Sequence, residues 1–104
     1  MEDYPTPDLE SVHLVDVMQA LSDPIRLRIV RVLADGDAHP KNADIWGFDC
    51  TKSTLSHHFK TLREAGLTRT IVDGRTHAIQ LRRLELDGRF PGLVEAVVAS
   101  APRD

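Results

Sequence analysis

From Leu67 to Arg83 the chain reads LTRTIVDGRTHAIQLRR, a stretch whose residues favour strands rather than helix. It alternates imperfectly, is rich in Thr, Ile and Val, and is interrupted by Asp73-Gly74. Asp-Gly between two such runs is the strongest short hairpin signal, because both central positions favour positive φ. Strands are therefore expected near 68–72 and 76–82. The remainder of the chain has helical periodicity. The fold class is mainly α with a small β-hairpin (α+β), in the order helix, helix, short helix, helix, hairpin, helix.

Leu9, Val12, Val15, Met18 and Leu21 recur at three- and four-residue steps, which predicts a helix from about Asp8 to Leu21. Ser22-Asp23-Pro24 is a stop and restart. Asp23 can cap the next helix, and Pro24 suits its first position, where a missing N–H costs nothing. In IRLRIVRVL, Ile25, Ile29, Val30 and Leu33 share one side, leaving Arg26, Arg28 and Arg31 to solvent or to nearby acids. Asp35-Gly36-Asp37 ends this helix. Residues 39–50, HPKNADIWGFDC, suggest a short helix closed by Gly47, with Ala43, Ile45, Trp46 and Phe48 as its apolar side. Thr51, with Ser53 as competitor, caps a helix that runs to about Ala65 and stops at Gly66. Leu55, Phe59 and Leu62 stand at i, i+4 and i+7 and face the core, with His58 beside them. After the hairpin, Leu86 to Ser100 forms a last helix, entered irregularly at Pro91-Gly92. Residues 1–7, MEDYPTP, are expected to be a flexible arm, and residues 8–100 one domain.

With 104 residues and a 41% hydrophobic share, the chain can build one compact domain but not two. Its net charge of −3 conceals a division. Residues 1–25 carry six acids and no Lys or Arg, whereas residues 52–83 carry seven bases against two acids, a local +5. One basic face fits a polyanionic partner. The single cysteine, Cys50, cannot form an internal disulfide, and nothing resembles a signal peptide or a membrane span. A cytoplasmic protein without membrane association is expected.

The segment STLSHHFKTLREAGL, residues 53–67, has an outer side of Ser53, Thr54, Ser56, His57 and Lys60 rather than the usual Glu/Lys mixture. A short helix, a tight turn and such a second helix match a helix-turn-helix, whose second helix enters the major groove of double-stranded DNA. Small hydroxyls permit close approach, His57 and Lys60 add reach, and the helix dipole favours phosphate near Thr51 and Lys52. The hairpin would be a wing on the adjacent backbone or minor groove, with Arg69 and Arg75 flanking its turn and His77 beyond.

ALSDPIRLRIVRVL (20–33) and STLSHHFKTLREAGL (53–67), followed by the DG hairpin, resemble the ArsR/SmtB family of bacterial winged helix-turn-helix transcriptional regulators, over roughly residues 9–100. The resemblance implies that Ser53, Ser56 and His57 contact DNA, from a recognition helix at about 51–65 beside a wing at about 68–82. It also implies a homodimeric repressor on an inverted repeat, paired through end helices at about 8–21 and 91–100, with Leu9, Val12, Val15, Leu93, Val94 and Val97 at the interface. Those apolar stripes independently exceed what a lone small core needs. The family's metal patterns are not matched: residues 39–48 contain no cysteine, Asp87 is followed by Gly88 and Arg89, and residues 86–104 contain no histidine. No metal or cofactor is expected, and the effector is unknown. Alternatives are a winged-helix protein-interaction module without DNA binding, or a repressor that senses metal or redox state through a non-standard site such as Cys50. An enzyme is not expected, because there is no phosphate-cradling glycine loop and no orienting acid for the serines and histidines of 53–58.

Overall fold

A computed structural model describes residues 5–42 and 46–100; Ala43 and Ile45 of the expected short helix, and the first four residues of the expected arm, lie outside them. The expected helix over 8–21 is two pieces. A 3₁₀ turn, Leu9–Ser11, is separated from helix α1, Leu14–Ala20, by Val12 and His13 in extended conformation. Val12 is the cause: only 5% exposed, it turns inward over Gly66, where any added Cβ would run into its side chain. Its carbonyl then accepts from the Arg89 Nη2 at 3.2 Å, a replacement for the lost helical hydrogen bond.

Helix α2, Pro24–Leu33, starts as its sequence dictates. The Asp23 carboxylate accepts from the Ile25 and Arg26 N–H groups at 2.8 and 3.0 Å. Ile29, Val30 and Leu33 are buried. Next, where the short helix was expected to begin, His39–Pro40 instead form an edge strand, β1, opposite Ile79 and Ala78. Proline is tolerated at such an edge because no ladder donor is needed there.

Helix α3, Lys52–Glu64, is capped by Thr51 and terminates over Ala65 and Gly66, the latter at φ +91°. Leu55, Phe59 and Leu62 are all buried. The hairpin pairs β2, Thr68–Asp73, with β3, Thr76–Leu81, giving an antiparallel sheet of order β1-β3-β2. Asp73 pairs with Thr76, so the turn is Gly74-Arg75, one residue later than expected. Only Gly74 has positive φ (+62°), the pattern of a type II′ turn.

The expected last helix is also divided. Helix α4, Arg83–Arg89, buries Leu86; Phe90, Pro91 and Gly92 interrupt; helix α5, Leu93–Ala99, buries Val94. Pro91 has no N–H and Gly92 is left-handed at φ +85°, so helical hydrogen bonding cannot run through. Val17, Ile29, Leu33, Leu62, Ile79, Leu86 and Val94 meet in one core between the helices and the sheet. The result is the expected mainly α fold with a small antiparallel sheet, a winged helix-turn-helix.

Candidate nucleic-acid interface

The outer side of α3 is set by its cap and its buried stripe. Thr51 Oγ1 accepts from the Thr54 N–H at 3.0 Å, and its own hydroxyl donates to Thr54 Oγ1, so Thr51 rather than Ser53 is the cap. With Leu55, Phe59 and Leu62 turned inward, Lys52, Ser53, Thr54, Ser56, His57 and Lys60 are all exposed.

From behind, α3 is held by aromatic and polar contacts. The Trp46 ring lies 5.6 Å from Phe59 and 6.0 Å from Phe48, and its indole N–H donates to the Pro40 carbonyl at 2.8 Å. The Arg28 guanidinium covers Phe48 at 4.7 Å. His58 is buried, and its Nδ1 is 3.1 Å from Arg26 Nη1, while Arg26 Nε donates to the Ala20 carbonyl at 2.6 Å. Arg26 therefore clamps the end of α1 to the middle of α3 instead of facing solvent or an acid. Burial pushes the His58 imidazole below its ordinary value; Asp23, 4.0 Å away, opposes this, and Arg26 and His57 reinforce it. A neutral ring suits the clamp, because Nδ1 can then accept from the guanidinium.

The wing divides the expected cations. Arg75 is exposed at the turn. His77 is half-buried on β3, opposite Val72. Arg69 does not flank the turn: it lies opposite Gln80 toward the base of the hairpin and is ion-paired with Glu85. Arg82 is buried, with Nη1 donating to the Pro7 carbonyl at 2.7 Å and Nη2 to Glu85 at 2.8 Å. Arg83 pairs with Asp87 and donates to the Ala34 carbonyl at 2.8 Å. Much of the local +5 is thus committed inside the fold. The exposed cations of helix and wing are Lys52, Lys60 and Arg75.

Lys41 and Asn42 are the residues that sequence reasoning missed. With Lys52, Leu55 and Ser56 they line a cleft of about 210 Å³ at the start of α3. The pairing of β1 brings them there, and Lys41 Nζ donates to Thr70 Oγ1 at 2.7 Å. A short apolar-polar run gives no sign of a two-residue strand, so only the fold reveals this cation.

The end helices sort the expected interface residues into two groups. Val12 and Val94 are buried in the chain's own core, and Leu9, Leu93 and Val97 are half-buried against it. Val15 is 63% exposed, and Leu14, Met18 and Val98, which were not singled out as interface residues, are also exposed. Cys50 is half-buried. Among the described residues, no three His, Cys, Asp or Glu side chains gather to hold a metal ion, and no helix is long and apolar enough to cross a membrane.

Residues 21–71 match a family described as a helix-turn-helix domain. The chain is 41% identical over 83 residues to the HTH-type transcriptional regulator YceK of Bacillus subtilis (strain 168), spanning 78% of this chain and 82% of that one. It is 35% identical over 74 residues to the arsenical resistance operon repressor of Staphylococcus xylosus, spanning 71% and 70%. A solved ArsR-like transcriptional regulator from Rhodococcus sp. RHA1 has the same fold, with a TM-score of 0.63 at 23% identity over 83% of this chain and 79% of that one.

Proposed function

Because the chain belongs to the ArsR family of winged-helix transcriptional regulators, whose members compared above are not enzymes, we propose that it is a homodimeric repressor of an inverted-repeat operator. The observation that carries this reading is the two-sided character of α3: an apolar stripe buried in the core and an outer side of hydroxyls, imidazole and amine that no other part of the described chain covers. Ser53, Ser56 and His57 meet base edges and phosphates in the major groove, with Thr54 and Lys60 on either side. Thr51 works indirectly, as the cap that fixes the first turn. Lys52 and Lys41, which both line the cleft, receive a backbone phosphate, and Arg75 brings the wing to the next stretch of backbone. Arg69, tied to Glu85, does not take part in this contact.

Two copies pair through Leu14, Val15, Met18 and Val98, supported by Leu9, Leu93 and Val97, because a surface apolar cluster on a small domain is a liability until covered. Two-fold pairing sets the recognition helices about 34 Å apart, one turn of B-form DNA. The arsenical named for the Staphylococcus relative does not transfer to this chain, whose one thiol, at Cys50, is too few for a thiolate-built site. The signal is left unassigned.

The test begins with selection of bound sequences from random duplex DNA, which should return a motif with two-fold symmetry. On that motif, Ser56→Ala with His57→Ala is expected to weaken binding about 100-fold while circular dichroism is unchanged. Undiminished specific binding by the folded double variant defeats the assignment.

A further inference from the structure

The residue next to the exposed His57 on α3 is a second histidine, turned inward and only 8% exposed. Its Nδ1 accepts from Arg26 Nη1 at 3.1 Å, and the same guanidinium holds the Ala20 carbonyl, at the end of α1, through Nε at 2.6 Å. Helix α1 carries Leu14, Val15 and Met18 of the surface proposed to pair two copies, and α3 carries the residues proposed to meet DNA. With copies paired through α1, the spacing of the two recognition helices depends on how each α3 is set against its own α1. One guanidinium ties the two helices at this point.

That tie has a condition. Nδ1 accepts only while the His58 ring is neutral; a proton there removes the acceptor and puts two cations 3.1 Å apart. A different partner is close by, because Asp23 Oδ2 lies 4.0 Å from the same Nδ1. The charged and titratable groups acting on the ring are Asp23, which caps α2, Arg26 within that helix and His57 on its own helix, while α1 presents the Ala20 carbonyl through Arg26. A neutral ring is thus bound to Arg26, and a charged ring is repelled by Arg26 and drawn to Asp23. We propose that His58 is a positioning residue for operator binding, holding α3 in its DNA-competent setting when neutral and releasing it when protonated, so that acidification frees the operator. This rests on the reading of α3 as a recognition helix. Burial holds the ring neutral at neutral pH and places the change below the ordinary 6.5. Protonation of the exposed His57 acts with the opposite sign, by adding a cation at the DNA face, so a loss of affinity in acid is not its effect.

The test is the affinity of the native protein for the selected operator, by fluorescence anisotropy at constant ionic strength, from about pH 7.5 to about pH 5.5. Specific binding is expected to weaken about tenfold or more over this range, while circular dichroism of the same samples stays that of the folded protein. His58→Gln, whose amide oxygen accepts from Arg26 at any pH, should bind like the native protein at the neutral end and lose the fall. His58→Leu, which offers no acceptor, should bind weakly at both ends. In the native protein the His58 ring resonances should titrate at lower pH with operator bound than without it, because linkage is reciprocal. The proposal is overturned if operator affinity is flat or rises toward acid, if His58→Gln keeps the native fall, or if the fall coincides with unfolding. It is equally overturned if the His58 resonances titrate alike with and without operator. Absence of specific binding at the neutral end defeats the recognition-helix reading itself, whereas specific binding that does not vary with pH defeats this inference alone.

Discussion

Gly66 shows how much one residue can decide. It ends α3 at φ +91° and leaves the space that Val12 fills, so any side chain there is penalised twice. Gly66→Ala is expected to cost about 2 kcal/mol or more in denaturant unfolding. Adding Val12→Ala should relieve the steric part and not the backbone part. His58 contributes through its protonation state. Its folded value lies below the ordinary 6.5, with Asp23, Arg26 and His57 as the charged or titratable neighbours. As pH falls, the unfolded chain binds a proton at this imidazole before the folded chain does. Stability is therefore complete above the ordinary value and declines as pH drops toward and through the folded one. Between about pH 7 and about pH 5 the unfolding midpoint should fall, and His58→Gln should show a smaller fall.

At the scale of elements, α3 separates the residues that build the helix from those it presents. Thr51 satisfies an otherwise unpaired N–H, so Thr51→Ala should cost about 1 kcal/mol of stability. Ser53 is exposed and makes no cap, so Ser53→Ala should leave stability nearly unchanged and weaken operator binding. Measured together, the two variants distinguish a capping hydroxyl from a contacting one. The buried stripe of this helix was legible because Leu55, Phe59 and Leu62 repeat at the helical period. The breaks in the first and last helices were not, because periodicity records which side is apolar and carries on unchanged through a kink. Val12 kept its place in the three- and four-residue pattern and still left the helix, drawn by a glycine fifty-four positions away. Pro91-Gly92 was seen as an irregularity, yet the separate helix before it, Arg83–Arg89, was not.

For the whole molecule, pairing of copies is the quantity to measure. Val15 is among the most exposed apolar residues and contributes nothing to the protomer core. Val15→Glu should therefore yield a folded monomer in sedimentation, with operator affinity reduced because half of the contacts are lost with the second copy. Val94→Glu should behave differently and unfold the chain, because Val94 is a core residue at 1% exposure.

The local pattern alone settled the helix around Asp23-Pro24, the capped helix from Thr51 to Gly66 and the existence of a hairpin, because each depends on neighbours within a few positions. Which cations reach the surface was decided only in three dimensions. Arg26, Arg69, Arg82 and Arg83 look alike in a list of basic residues, and the fold gives each a carbonyl, a carboxylate or an imidazole as partner. Lys41 came to the cleft through a strand too short to leave a period. Charge is counted along the chain, but the field it makes depends on what lies across from it, and those partners are brought together by tertiary packing.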